Sequence, residues 1–250
     1  MRSVTLASTS RSEDAALQAL RDASLAISGL AEACIIGGQM TALLSAAFGR
    51  AATIARRTMD ADAAVSPTIA AAGSLHDLLT DRGYRAQASN RYVLDDRVID
   101  VLVPATSGAF EPAEYGGRSF DSAPGLHLAL VGMLDLEVTA ILLDGTPVRF
   151  RTRVPGVERA LIVKALAYES GRRQKDLVDL FNLLSIRDEY EPAEVGGWRI
   201  GESAGTGARR DAAAVLRRLA GARGLRMILR GSDVPDGRFV SLLRSYISQG

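Results

Sequence analysis

The sequence predicts an α/β (α+β) protein: a mixed β-sheet flanked by helices, followed by a helical lobe at the C-terminal end. Strand-like and helical patterns alternate over residues 13–154. Two turn signals inside that region, Asp95-Asp96 and Asp144-Gly145, each separate a pair of apolar runs. After Pro155 the patterns are helical only. We therefore expect a flexible Ser/Thr-rich tail at 1–12, a core at 13–154 and a helical lobe at 155–250.

The first elements of the core are predicted from short local patterns. Ser12 can cap a helix whose apolar residues recur at helical spacing. Proline is well placed in a first turn, so Pro67 indicates the start of another helix. In chain order we predict a helix from Ser12, a strand at 33–36, a turn at Gly37-Gly38, a helix at 39–48, a strand at 53–65 and a helix at 68–82.

The later elements surround the two turn signals and then become helical. Residues 104–125 are rich in Gly, Pro and Ser, which predicts irregular structure, and the glycine-rich residues 188–207 predict a loop. Ser170-Gly171 predicts an interruption between two helices. The predicted strands are 91–94, 98–103, 134–143 and 148–154, and the predicted helices are 157–168, 172–186, 208–220 and 236–248.

Composition restricts the class of protein. The chain has 250 residues and a formal net charge of +1, so no global field draws it to nucleic acid or to a membrane. Cys34 is the single cysteine, which excludes an internal disulfide and fits a reducing compartment. We find neither an export signal nor an apolar run long enough to span a bilayer, and we expect a cytoplasmic protein.

Three aspartates form the main candidate site. Asp60 and Asp62 are separated by one residue, so on a strand their side chains project to the same face. Asp100 lies between Ile99 and Val101, where an unpaired charge would be costly. Together the three could bind Mg²⁺ through oxygen ligands alone. The alternatives are that Asp60 and Asp62 are surface carboxylates on an edge strand or loop, and that Asp100 is a half-exposed strand residue.

A second group of residues could contact phosphate. Gly37-Gly38 would expose backbone N–H groups at the start of a helix, or it is simply a tight turn. Gln39 is a candidate polar contact to a nucleotide. Arg56, Arg57 and Thr58 precede the aspartate pair, and at least one arginine there could pair with the carboxylates or reach phosphate, or belong to a surface strand.

A third group lies on the two helices around residue 171. Only two of the 30 basic residues are lysines, and both fall in this region, which suggests a need for a compact ammonium at phosphate. The alternative is an ordinary ion pair between Lys175 and Asp179, one helical turn apart. The polar residues of this group are Lys164, Tyr168, Arg172, Lys175, Asp176 and Asp179.

Together these motifs resemble the AbiEii/AbiGii-type nucleotidyltransferase toxins, which have a polymerase-beta-like nucleotidyltransferase fold. The resemblance covers about residues 30–187. It rests on Gly37-Gly38, Arg57-Thr58-x-Asp60-x-Asp62, Asp100 in its strand, and Lys164…Arg172-x₂-Lys175-Asp176-x₂-Asp179. Gln39 and Thr58 depart from the family pattern, which often has serine at or near these positions.

The resemblance implies site roles and partners. Asp60, Asp62 and Asp100 would be metal ligands, with Asp100 also a candidate base. Lys164 would contact the triphosphate, and Asp176 or Asp179 would be the acidic position on the helix. Implied substrates and partners are NTP with one or two Mg²⁺ ions, an RNA acceptor such as tRNA, or a protein acceptor, and a cognate antitoxin.

The sequence therefore predicts an Mg²⁺-dependent nucleotidyltransferase that moves NMP from NTP to an acceptor hydroxyl, as the toxin of a toxin–antitoxin system. One alternative is a non-catalytic nucleotide- or partner-binding module on the same fold. Another is an enzyme of similar fold that transfers the γ-phosphate.

Overall fold

The computed structural model describes residues 1–88, 90–202, 205–222 and 225–247, and it confirms a mixed α/β protein. Its strands are β1 (Arg2–Ala7), β2 (Ala33–Ile36), β3 (Ala61–Val65), β4 (Arg85–Ala88), β5 (Arg91–Leu94), β6 (Arg97–Pro104), β7 (Glu111–Tyr115), β8 (Arg118–Ala123), β9 (Leu134–Ile141) and β10 (Pro147–Val154). Its helices are α1 (Arg11–Ile27), α2 (Gly37–Ala47), α3 (Pro67–Ala72), α4 (Ser74–Thr80), α5 (Leu126–Ala129), α6 (Val157–Gly171), α7 (Gln174–Glu189), α8 (Gly207–Gly221), α9 (Leu225–Ile228) and α10 (Asp236–Ile247).

The larger sheet carries the three candidate aspartates. Within the described residues its order is β2-β3-β6-β5-β4, and the β8–β7 hairpin also joins it through β6. β3 runs antiparallel to β2 and parallel to β6. Ile99 of β6 pairs with Ala61 on one side and with Tyr92 on the other, so β6 is an interior strand. Both hairpins that the sequence predicts are present, as β5–β6 and β9–β10.

The prediction of a flexible tail at residues 1–12 is wrong. β1 pairs in parallel with β9 over six residues, from Arg2↔Leu136 to Ala7↔Ile141, and forms a second, smaller sheet with β9 and β10. Val4 is buried, which anchors the strand to the core. α1 begins at Arg11, and the Ser10 side chain rather than Ser12 caps it by accepting a hydrogen bond from the Glu13 N–H.

The prediction of irregular structure over residues 104–125 is also wrong in part. β7 and β8 form an antiparallel hairpin in this region. Gly116 and Gly117, which connect the two strands, both have positive φ, +58° and +73°. Two consecutive residues with positive φ are what a tight hairpin turn of this kind requires. The Gly-Gly pair was therefore an available turn signal.

The strand predicted at residues 53–65 begins only at Ala61. The first part of the predicted strand, before Ala61, is an irregular segment that contacts α7. The Ile54 N–H donates to Asn182 Oδ1, and Asn182 Nδ2 donates to the Ile54 carbonyl, both at 2.8 Å. A side chain of α7 thus satisfies backbone groups that a strand would have paired. The predicted helix at 68–82 is likewise divided, because Gly73 adopts φ +74° between α3 and α4.

The C-terminal helices pack directly on the sheet region. α7 contacts α2, α6 contacts both α2 and α5, and one hydrophobic core includes residues on both sides of the boundary predicted at 154/155. The glycine-rich segment between α7 and α8 is anchored by Val195 and Ile200, which are buried. Residues 203 and 204 of this segment, and Ser248 at the predicted end of the last helix, lie outside the described residues.

In the part of the chain that the structure describes, no helix combines the length and the apolar character that crossing a bilayer requires.

Candidate functional site

Three aspartates meet at the start of β3. Asp62 and Asp100 are direct partners in the parallel β3–β6 pair, so their side chains project from the same face of the sheet. Asp60 precedes Asp62 by two residues, which brings it to that face as well. One carboxylate oxygen from each of the three lies within 4.8 Å of the others. The structure therefore brings together the carboxylates that the sequence predicts to meet.

Burial, together with neighbouring carboxylates, raises the pKa values of Asp62 and Asp100. Burial raises the pKa of Asp62 to about 6, Asp60 and Asp100 act in the same direction, and Lys164 and Lys175 oppose them. A carboxylate with a raised pKa is one whose charge is poorly compensated by its surroundings. The cluster therefore favours the approach of a positive ion.

Asp100 has one cationic neighbour on the adjacent strand. Burial raises the pKa of Asp100, and Arg91 opposes that effect. The Arg91 Nε lies 3.7 Å from Asp100 Oδ1, and the arginine side chain is 46% exposed. At this distance and exposure Arg91 is a loose partner that water also solvates, and it compensates the anion only in part.

The donor set fits a magnesium ion. Carboxylate oxygens are the hard ligands that Mg²⁺ prefers, and Asp60, Asp62 and Asp100 each offer one within mutual reach. The Thr58 hydroxyl donates to Asp60 Oδ1 at 3.1 Å, which fixes the orientation of that carboxylate. Hydrogen bonds from neighbouring groups of this kind orient ligands at metal sites.

The glycine corner is shaped by its contacts with these side chains. Ile36 pairs with Asp62, so the chain turns into α2 directly beside that carboxylate. Gly37 has φ +67°, and a Cβ at this position would stand only 2.6 Å from Asp62 Cγ. A Cβ on Gly38 would stand 2.7 Å from Thr58 Oγ1. Glycine is thus required for the close approach of Asp62 and Thr58. The predicted contact of both glycines with phosphate stays a prediction.

Lys164 belongs to a buried charge network. Its Nζ lies 2.6 Å from Asp179 Oδ2 and 3.8 Å from Asp176 Oδ1. Arg56 Nε lies 3.1 Å from Asp179 Oδ1, and the Asp179 side chain is 0% exposed. Burial raises the pKa of Asp179, while Lys164 and Arg56 oppose that effect. Two cations and two carboxylates therefore compensate one another beneath the aspartate cluster.

The network corrects one sequence-based alternative. The spacing along α7 suggested an ion pair between Lys175 and Asp179. In the structure Asp179 turns inward to Lys164 and Arg56, whereas Lys175 is exposed. Lys175 is therefore not held by the carboxylate one turn further along its own helix.

A cleft of about 580 Å³ lies in front of the aspartates. This volume is within the usual range for sites that bind small molecules. Arg173 and Lys175, at the start of α7, line it and are exposed. No carboxylate in the described part of the chain forms an ion pair with either of them. The cleft is thus lined both by the three aspartates and by two cations that have no ion-pair partner among the described residues.

Three predicted nucleotide contacts lie outside this cleft. Gln39 is buried and lines a separate cavity of about 110 Å³ beside α1, which Arg57 also lines. Arg57 Nε pairs with Glu13 Oε1 at 2.8 Å. Arg172 ends α6, and its Nη2 pairs with Glu169 at 2.9 Å. The structure does not bring these three residues to the aspartates, so their predicted contact with a nucleotide finds no support in their placement.

Four charged or aromatic residues that line the cleft were missed from the sequence. Arg91 could have been found, because a hairpin centred on Asp95-Asp96 places it opposite Asp100. Asp121 required β8, which was not predicted. Arg173 and Phe110 carried no signal in the sequence, since neither belongs to a recognisable motif.

Comparisons with known proteins add no family assignment. No protein-family model matches this chain, and a search of curated proteins finds no significant match.

Proposed function

We propose that this protein is an Mg²⁺-dependent nucleotidyltransferase that moves NMP from NTP to an acceptor hydroxyl. The observation that carries the proposal is the convergence of Asp60, Asp62 and Asp100 in a cleft whose rim holds Arg173 and Lys175. A cluster of anions suits a divalent cation, and uncompensated cations beside it suit a polyphosphate. A metal-bound nucleoside triphosphate supplies both charges in one ligand.

The three aspartates would hold the metal. Bound there, Mg²⁺ supplies Lewis-acid polarisation of the α-phosphate and neutralises charge that develops during transfer. Thr58 keeps the Asp60 carboxylate oriented through its hydroxyl. Gly37 leaves the space that the Asp62 carboxylate occupies.

The other residues act on the polyphosphate and on the acceptor. Lys175 and Arg173 bind the β- and γ-phosphates and stabilise the pyrophosphate leaving group. The acceptor oxygen forms a bond to the α-phosphorus, its proton passes to the Asp100 carboxylate, and the bond from the α-phosphorus to its bridging oxygen breaks.

Lys164 has a less direct part than the resemblance implies. Asp179 and Asp176 hold its ammonium, so its charge is already paired before any ligand enters. It contributes to the electrostatics at Asp62, whose negative form it favours. We assign Asp176 and Asp179 the role of positioning Lys164, which lines the cleft together with Arg56.

Radiolabelled nucleotides test the proposal. The protein is incubated with Mg²⁺, total RNA and each NTP labelled at the α-phosphate, in parallel with the same NTPs labelled at the γ-phosphate. We expect transfer of the α-label to RNA or to protein, and loss of that transfer in Asp60→Ala. Asp135→Ala, which changes an exposed aspartate on β9, is the matched control and should retain transfer.

Each other outcome identifies a different function. Transfer of the γ-label alone would show phosphotransfer chemistry. Binding of NTP without transfer of either label, in the wild type, would favour a non-catalytic binding module. Equal transfer by wild type and Asp60→Ala would remove the aspartates from the mechanism.

The role as a toxin, with an RNA acceptor such as tRNA and a cognate antitoxin, rests on the resemblance to AbiEii/AbiGii-type proteins. Induced expression in a bacterial host tests it. We expect the wild type to arrest growth and Asp60→Ala to have no effect at equal protein level. Normal growth with active wild-type protein would contradict the toxin role while leaving the enzyme intact.

A further inference from the structure

One large apolar side chain at the cleft lies outside the hydrophobic core. Phe110 is 41% exposed, and it is absent from the hydrophobic core and from the partly buried residues packed on that core. Within the described ranges, no other aromatic ring and no guanidinium lies against its ring. An exposed aromatic ring that lines a ligand-sized cleft is a candidate binding group.

Local hydrogen bonds hold the loop that presents this ring. Phe110 lies between β6 and β7. The Ser107 hydroxyl donates to Glu111 Oε1 at 2.7 Å, and the Ala109 N–H donates to Ser107 Oγ at 3.1 Å. These bonds tie the residues on either side of Phe110 to each other. The ring is therefore presented by an ordered turn.

Carboxylates, cations and apolar side chains all line the cleft. The carboxylates include the aspartate cluster, and the cations include Arg173 and Lys175. The apolar lining includes Phe110 and the aliphatic residues Ile36, Leu102, Ala123, Leu126, Val163 and Ala167. A ligand that matches all three carries a metal-binding polyphosphate and a flat apolar ring system.

We propose that Phe110 is the platform on which the base of the nucleotide stacks in this cleft. The inference rests on the proposed function for the identity of the polyphosphate, and it adds the residue that recognises the base. An aromatic ring stacks on any of the four bases, because every base has a π-face. Phe110 therefore supplies affinity for nucleosides over bare polyphosphates, without selecting one base.

Binding measurements on Phe110→Ala test the inference, since an exposed side chain can be removed without loss of the fold. Calorimetry is carried out with Mg²⁺ and each of the four NTPs, and with Mg²⁺ and inorganic tripolyphosphate. Stacking on one aromatic residue corresponds to roughly 5- to 100-fold in affinity. We expect the Kd of Phe110→Ala to rise about 5-fold or more for the NTPs and to stay unchanged for tripolyphosphate.

Two further variants complete the design. Phe110→Trp keeps a stacking surface and should retain NTP affinity within about 3-fold of wild type. Leu143→Ala removes another exposed apolar side chain, 51% exposed and outside the cleft, and should leave every Kd unchanged.

The remaining outcomes separate this inference from the proposed function. If Phe110→Ala binds NTPs as tightly as wild type, or loses NTP and tripolyphosphate equally, the stacking role is wrong and the enzyme proposal stands. If wild type binds neither ligand, the nucleotide function itself fails, and the inference fails with it.

Discussion

The buried carboxylate Asp179 offers the sharpest test of the electrostatics of the charge network at the cleft. Its side chain is 0% exposed and lies against two cations, Lys164 at 2.6 Å and Arg56 at 3.1 Å. Asp179→Asn keeps the shape of the side chain and removes its charge. Lys164 would then keep only Asp176, at 3.8 Å, and Arg56 would have no ion-pair partner among the described residues. Removing one partner of a buried ion pair lowers the free energy of unfolding by about 3–5 kcal/mol.

Thermal and urea unfolding measure this effect. For a chain of this size each kcal/mol shifts Tm by about 2–4 °C, so we expect Tm to fall by roughly 6–20 °C. Glu137→Gln is the matched control, because its pair with Arg151 is exposed, 75% for the arginine and 44% for the glutamate. Such a surface pair contributes about 0–1 kcal/mol.

Two results would refute the reasoning. One is a loss in Asp179→Asn no larger than that in Glu137→Gln, which would mean that water reaches the network. The other concerns the double variant Asp179→Asn with Arg56→Met, in which the cation left without a carboxylate partner is removed. It should regain part of the lost stability, and a further loss would assign the effect to packing rather than to charge.

Three further predictions concern the aspartate cluster and the core. With a chelator present, Asp62→Asn should have a higher Tm than wild type, because it removes one of three crowded anions, and a lower Tm would contradict the crowding. Added Mg²⁺ should raise the Tm of wild type but not that of Asp62→Asn. In urea unfolding, Gly37→Ala should lower the free energy of unfolding by about 1–3 kcal/mol, since φ of Gly37 is +67° and Asp62 fills the space of a Cβ. Gly29→Ala is the control and should have little effect, because no atom lies within 4 Å of a Cβ at Gly29. Burial raises the pKa of Cys34 from 9.0 to about 12, so the free energy of unfolding should fall as pH rises from about 9 towards 12. The thiol should not react with a disulfide reagent at pH 8 unless the protein unfolds, and rapid labelling of the folded protein would contradict this.

Much of the site could be predicted because it depends on local rules. The Asp60–Asp62 alternation follows from the geometry of any strand, and the strand–glycine–helix order at Gly37 follows from short patterns. The hairpin centred on Asp95-Asp96 was predicted correctly, and its register also implied the position of Arg91. Each of these inferences needs only residues close together in the sequence.

The errors arose where distant parts of the chain decide the local structure. β1 is stabilised by β9, which lies more than half the chain away, so its own short pattern looked like a loose tail. The segment that contains Ile54 is held by Asn182 of α7 rather than by a strand. Gln39 and Arg57 are close to the site in the sequence, yet both line another cavity. Gln39 reaches that cavity from α2, and Arg57 lies beside its ion-pair partner Glu13.

Under the proposed function, the direct pairing of Asp62 with Asp100 makes divalent-cation binding a reporter of sheet assembly. A slip of β3 by one residue against β6 would turn Asp62 to the opposite face and leave Asp100 alone. A partly folded state with the wrong register would therefore bind magnesium weakly, however much secondary structure it had. During refolding, the appearance of tight cation binding would mark the moment at which the central strands reach their native alignment.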